Sequence, residues 1–213
     1  MPDLSIGHLF SRSWPVFKAH LGLVVGVFLV VTLLTNLGNN DGPATGESMG
    51  DNVLSLISFV IAGPLLAGGY AILLRLHRGE PTSFSELFDG FQEFGRAFGV
   101  YALYVIAVFV GLLLLVVPGI VLAVGLWPAF FLVMEDDLGV VDTLREAWEL
   151  TRGYRGQLFL LGVVLFLFVL LGLLALIIGI VFTGAFAMLV TAAAYDELAP
   201  VGVAGPEAER AVD

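Results

Sequence analysis

Charge falls in blocks along this chain. Phe98 to Met134 holds 37 consecutive positions without Asp, Glu, Lys, Arg or His, and Leu158 to Tyr195 holds 38 more. A membrane helix takes about 20 apolar residues, so each stretch is long enough for two. Val117-Pro118-Gly119 lies in the middle of the first and Gly179 near the middle of the second. Proline does not continue a helix and glycine accepts a left-handed turn. Each stretch therefore predicts two helices joined by a tight turn, over about 98–117 and 120–134, then about 158–178 and 180–195. A third pair is expected earlier, over about 21–37 and 53–74. Its connection, 38–52, is polar, with three acids and no Lys or Arg.

Each predicted pair follows a segment with apolar positions every three to four residues. The first, 3–20, has Leu9, Phe10, Trp14 and Phe17 on one side. The second, 83–97, opens with Ser83 and Glu86 in capping-box spacing and lines up Phe84, Leu87, Phe88, Phe91 and Phe94. The third, 142–155, sets Leu144, Ala147, Trp148 and Thr151 together behind an expected N-cap at Asp142. These segments read as amphipathic helices in the headgroup layer, with Trp14, Phe91 and Trp148 as interfacial anchors. The three aromatics align when the segments are superposed, and a basic residue follows each, at Lys18, Arg96 and Arg152. The chain thus reads as three copies of one unit, an amphipathic helix followed by two spans. A cleaved signal peptide is the competing reading of the first apolar run. The long amphipathic lead-in and the lack of a small-residue cleavage site argue against it. Gly63-Pro64 and Trp127-Pro128 are expected to bend their spans. Gly63, Ala67 and Ala71 repeat every four residues, a spacing that lets membrane helices approach closely.

Composition agrees: 59% of the 213 residues are hydrophobic and 13% charged, against about a quarter charged in soluble domains. The fold class expected is an all-α integral membrane protein of six transmembrane helices in three hairpins, one domain over 1–197, with a disordered tail over 198–213. All nine Lys and Arg fall in the N-terminal segment, the connectors near 75–97 and 145–155, and the tail at Arg210. The positive-inside rule then places both termini in the cytoplasm.

Chemistry is sparse. No ionisable side chain occupies a predicted span centre, which argues against proton relays and voltage sensing. There is no cysteine, so thiolate chemistry is absent. His8, His20 and His77 are spread along the chain, and no metal site is expected. No cofactor, nucleic acid or catalytic motif is indicated. Glu135-Asp136-Asp137 reads as a solvated helix end rather than a cation site. The strongest polar feature is Arg75, Arg78, Arg96, Arg145, Arg152 and Arg155 at the expected cytoplasmic rim. They are candidates for anionic lipid headgroups; topology determination and ion pairing with nearby glutamates is the plainer reading. Gly179, Thr183, Ala187 and Thr191 form a small-residue stripe suited to bundle packing or a subunit contact.

Trp148-Glu149-Leu150-Thr151-Arg152-Gly153, Val117-Pro118-Gly119-Ile120, and Arg78-Gly79-Glu80 leading to Leu87-Phe88-Asp89-Gly90-Phe91 together carry a resemblance over about 5–197. The chain resembles small bacterial six-span proteins of uncharacterised role, related to the membrane domain of some glycerophosphodiester phosphodiesterases. Ala147 stands where that pattern has Ser. The resemblance implies a bacterial cytoplasmic membrane. No phosphodiesterase domain is expected within these 213 residues, so its activity is not implied. Three functions follow as expectations. The first is a non-enzymatic protein binding anionic lipid, a second copy or a membrane partner through its rim. The second is a transporter or channel for a small or apolar solute. The third is an accessory to a lipid-modifying system.

Overall fold

The computed structural model describes residues 4–36, 49–174 and 176–199, and every regular element among them is helical. The polar loop within 38–48 and the tail from residue 200, with Arg210, lie outside the described residues. In chain order the elements are α1 (Ile6–Ala19), α2 (Leu21–Thr35), α3 (Met49–His77), a 3₁₀ helix (Phe84–Phe91), α4 (Phe94–Leu114), α5 (Val116–Leu126), α6 (Ala129–Glu135), α7 (Val140–Leu150), α8 (Arg155–Leu174) and α9 (Leu176–Leu198). Five stretches are long and apolar enough to cross a membrane: Val53–His77, Phe94–Leu114, Val116–Glu135, Arg155–Leu173 and Gly179–Leu198. A sixth is counted if α1 and α2, which meet at 97°, form one bent span. α2 alone has 15 residues, about 22 Å at 1.5 Å per residue, short of the ~30 Å hydrocarbon core.

Several expected boundaries shift. The reversal between α4 and α5 is at Leu115, a single extended residue, not at Pro118-Gly119. Pro118 and Gly119 lie in the first turns of α5. An N–H missing from a first turn costs no helical hydrogen bond, so this proline marks a helix start. Gly179 likewise lies inside α9 near its start, and the chain is already helical again at Leu176. Pro64 sits within the continuous helix α3, whereas Pro128 separates α5 from α6. The segment after Ser83 is 3₁₀ rather than α and stops at Phe91; α4 starts at Phe94 and takes in Arg96. With that extension α4 has 21 residues, about 31 Å. Gly139 caps α7, and Asp142 is in its first turn. α9 runs on to Leu198, past the span end expected near Tyr195, so Asp196 and Glu197 belong to the helix.

A shorter helix (α1, the 3₁₀ helix or α7) precedes two further helical segments in each third of the chain, with α5 and α6 counted together across Pro128. The docking of the short helices is cyclic. The 3₁₀ helix packs on α3, the second long helix of the pair before it. α7 packs on α4, α5 and α6, again the preceding pair, and α1 closes the circle by packing on α9, in the last pair. Each short helix therefore buries part of its apolar face on protein, while Trp14, Phe84 and Phe88 stay exposed. Leu9 and Phe17 of α1, Leu87 of the 3₁₀ helix and Ala147 of α7 are buried. The approach of the 3₁₀ helix to α3 is backbone to backbone. A Cβ at Gly68 would run into the Leu87 carbonyl, and one at Gly90 into the Pro64 carbonyl. At the α4–α5 reversal, a Cβ on Gly111 would lie 2.9 Å from the Gly119 Cα. The outward faces of α4, α5 and α8 keep large apolar side chains exposed, among them Phe109, Leu113, Leu114, Phe166 and Leu171. Soluble monomers rarely expose so continuous an apolar surface.

Candidate functional site

Ion pairs gather the charged side chains at one end of the bundle. The C-terminal ends of α3, α6 and α9 meet there with α1, the 3₁₀ helix and the start of α4. The six rim arginines divide into two groups. Arg75 pairs with Glu86 at 2.7 Å. Arg78 pairs with Asp196 at 2.8 Å and also with Glu135. Arg96 pairs with Asp137 at 2.7 Å and Glu93 at 3.1 Å, and donates to the carbonyls of Val133 and Asp136. Arg96 thereby ties the start of α4 to the end of α6. These three act as internal ties. Arg145 and Arg152, by contrast, have side chains 75% exposed, with only i,i+3 partners at Asp142 (3.8 Å) and Glu149 (3.1 Å). Such exposed pairs contribute about 0–1 kcal/mol, so both guanidiniums remain free to exchange partners. Arg155 donates to the Trp148 carbonyl at 3.0 Å, and its guanidinium lies 3.5 Å from the centre of the Trp148 ring. The second group is confined to α7 and the α7–α8 corner.

The anchor aromatics are placed differently from one another. Trp14 is half exposed, stacks on Phe17 and meets Phe186 of α9 edge-on. Phe91 stacks with Phe94. Trp148 lies over Gly125 of α5, where a Cβ would come within 2.6 Å of its ring. Trp148 thus packs on protein as well as presenting a face to Arg155.

One cluster was not visible in the sequence. Arg12 reaches Asp196 at 2.9 Å and Glu197 at 2.5 Å, and His8 lies 3.3 Å from Glu197. Arg78 bridges Asp196 to Glu135, whose other oxygen accepts the Tyr195 hydroxyl at 2.6 Å. α1, α3, α6 and α9 are thus tied by one polar network. Burial works against the charge on Arg78, but its hydrogen bonds to Asp196 and Glu135 outweigh that and hold its pKa above the ordinary value. The acidic run is accordingly not just a solvated helix end: Glu135 and Asp137 are both engaged by arginines. Burial, then the neighbouring Glu135 and Glu146, push the Asp136 carboxyl above the usual range. The available signal was the pair Asp196-Glu197 closing a 38-residue uncharged stretch. The positive-inside rule gives acids little weight, so charge asymmetry alone passed over it. His77 sits beside this network, 7% exposed. Neither of its ring nitrogens has a hydrogen-bond partner among the described residues. Among the described residues no three His, Asp or Glu side chains converge to hold a metal ion.

Two clefts flank α8. One, of about 460 Å³, lies among α2, α3, α8 and α9, with Tyr70, Leu165, Val169 and Thr191 in its wall. The other, of about 220 Å³, lies among α5, α8 and α9, with Trp127, Leu158, Gly162, Leu165 and Thr191.

The helical architecture of the described residues, with its long apolar helices and its ion pairs gathered at one end, defines a multi-pass membrane protein. Comparison with family models, with curated proteins and with solved structures finds no match.

Proposed function

We propose that the chain is a non-enzymatic protein of the bacterial cytoplasmic membrane, with its arginine-bearing end and both termini in the cytoplasm, which binds anionic lipid headgroups at the α7–α8 corner. The observation that carries this reading is the division of the arginines. Arg78 and Arg96 have side chains only 15% and 22% exposed and are held by carboxylates, while Arg145 and Arg152 are 75% exposed. A cation near an anionic membrane surface gains about 1 kcal/mol. Reversing two cations therefore weakens binding by about 4 kcal/mol, roughly a thousandfold, because each substitution both removes an attraction and adds a repulsion. The test is retention of phosphatidylglycerol by the purified protein, read by native mass spectrometry, for the wild type and for Arg145→Glu with Arg152→Glu. Retention unchanged by the double reversal refutes the reading.

A second reading, passage of a small apolar solute, draws on the 460 Å³ cleft and its Thr32, Thr35, Tyr70 and Thr191 hydroxyls. Its test is solute flux into proteoliposomes compared with protein-free vesicles; equal flux refutes it.

A further inference from the structure

The two clefts beside α8 share Leu165 and Thr191. The smaller, of about 220 Å³, is an apolar crevice among α5, α8 and α9. α8 packs on α9 and, more lightly, on α5, leaving much of its surface without protein neighbours. Its glycine at 162 lines the α5 side, and a Cβ built there meets nothing within 4 Å. Along α8 its walls run from Leu158 to Leu165, about 10 Å at 1.5 Å per residue. That is about two-thirds of one leaflet of the ~30 Å hydrocarbon core. The walls are aliphatic and aromatic, with Trp127 among them.

The crevice begins one helical turn from Arg155, at the N-terminal end of α8. Arg155 has no carboxylate within ion-pairing distance among the described residues, and Arg152 next to it is 75% exposed. A cationic helix end thus adjoins an apolar crevice about 10 Å long. This combination fits a molecule with an anionic head and a hydrocarbon chain. Neither a free phosphate nor a neutral alkane would use both parts.

We propose that this crevice holds one acyl chain of an anionic glycerophospholipid whose phosphate sits at Arg152 and Arg155. The proposal rests on the headgroup reading above and adds a chain site to it. Free hydrocarbon in the bilayer touches the outer face of α8 in any membrane; what distinguishes a site is preference for the anionic lipid and dependence on the crevice itself. Gly162 is the position at which the crevice is closed without moving backbone, because its side-chain direction is open.

Trp127 provides the readout. The protein carrying Trp14→Phe is reconstituted in phosphatidylcholine vesicles containing a minor fraction of lipid brominated in mid-chain. That lipid is either phosphatidylglycerol or phosphatidylcholine. Subtracting the signal of the same protein with Trp127→Phe isolates quenching of Trp127 from that of Trp148. The brominated anionic lipid is expected to quench Trp127 at about a thirtyfold lower mole fraction than the brominated zwitterionic one, the enrichment two arginines provide at a membrane surface. Gly162→Phe, and separately Gly162→Leu, should abolish this preference while phosphatidylglycerol retention by native mass spectrometry persists. Equal quenching by the two lipids in the unfilled protein overturns the chain site. So does a preference that survives both Gly162 substitutions. In either case the headgroup reading stands if Arg145→Glu with Arg152→Glu still abolishes retention, and falls if it does not.

Discussion

Replacing Arg78 tests whether the buried network holds the helix ends together. Arg78→Gln removes the pairs to Asp196 and Glu135, made by a guanidinium with 15% side-chain exposure to carboxylates at 9% and 24%. In water two unit charges 4 Å apart attract by about 1 kcal/mol, and at an effective dielectric of about 20 by about 4 kcal/mol. Much of that attraction is offset by the desolvation already incurred on folding. The larger effect of the substitution is to leave the carboxylates without their cation, and removing one partner of a buried pair costs about 3–5 kcal/mol. Asp196 keeps Arg12, and Glu135 keeps the Tyr195 hydroxyl. The expected loss is therefore at the low end, about 3 kcal/mol. Adding Glu135→Gln to Arg78→Gln should recover part of it, because one stranded charge is then gone. The assay is equilibrium unfolding in mixed micelles, with helical circular dichroism against the mole fraction of denaturing detergent. Arg152→Gln is the control: its partner is exposed, and a change of less than about 0.5 kcal/mol is expected. If Arg78→Gln is as mild as Arg152→Gln, the network does not hold the ends of α3, α6 and α9 together.

Other outcomes follow from particular contacts. Gly90→Ala places a methyl against the Pro64 carbonyl, and because both sides are backbone the cost should reach about 3 kcal/mol in the same unfolding assay; Gly95→Ala, with open space at its Cβ, should cost nothing. His77→Leu removes a buried imidazole with no hydrogen-bond partner among the described residues, so stability should be unchanged or higher; a loss above about 2 kcal/mol would show that the ring is hydrogen-bonded. Glu86 is held below the usual carboxylate range: burial opposes this, but the Ser83 N–H, Thr82, Arg75 and the Ser83 hydroxyl together outweigh it. Its contribution is complete at neutral pH and is lost as pH falls through the ordinary glutamate range and then past the folded value; Glu86→Gln should flatten that acid limb. Asp136 has the opposite sign, raised by burial and by Glu135 and Glu146, so Asp136→Asn should raise stability at neutral pH.

The sequence showed the helices clearly and their ends and assembly less well. Uncharged runs marked out α4, α5 with α6, α8 and α9, because in lipid a long uncharged segment must satisfy its backbone internally as helix. Pro118 misled by three residues: proline disrupts a helix interior but fits a first turn, so it signalled a start where a turn was expected. Asp196 and Glu197 follow an apolar run, where a charge ordinarily marks the interface, so the last span was expected to end near Tyr195. Their partners, Arg12 and Arg78, are 184 and 118 residues away, and such separation leaves no local pattern. The amphipathic periods of α1 and α7 were legible, but not what their apolar faces cover. A period of three to four reads the same whether a face meets lipid or protein. The cyclic docking of each short helix on the preceding pair is tertiary information.

The account depends most on the arginine-bearing end and the α2 end lying on opposite sides of a bilayer. The chain contains no cysteine, so single-cysteine labelling has no background. Ser85→Cys in the 3₁₀ helix and Asn36→Cys at the end of α2 should react from opposite sides of sealed vesicles of the membrane that holds the protein, with a reagent that does not cross membranes. Ser85→Cys is expected to label from the cytoplasmic face and Asn36→Cys only after the vesicles are opened. Labelling of both positions from the same side would contradict the account.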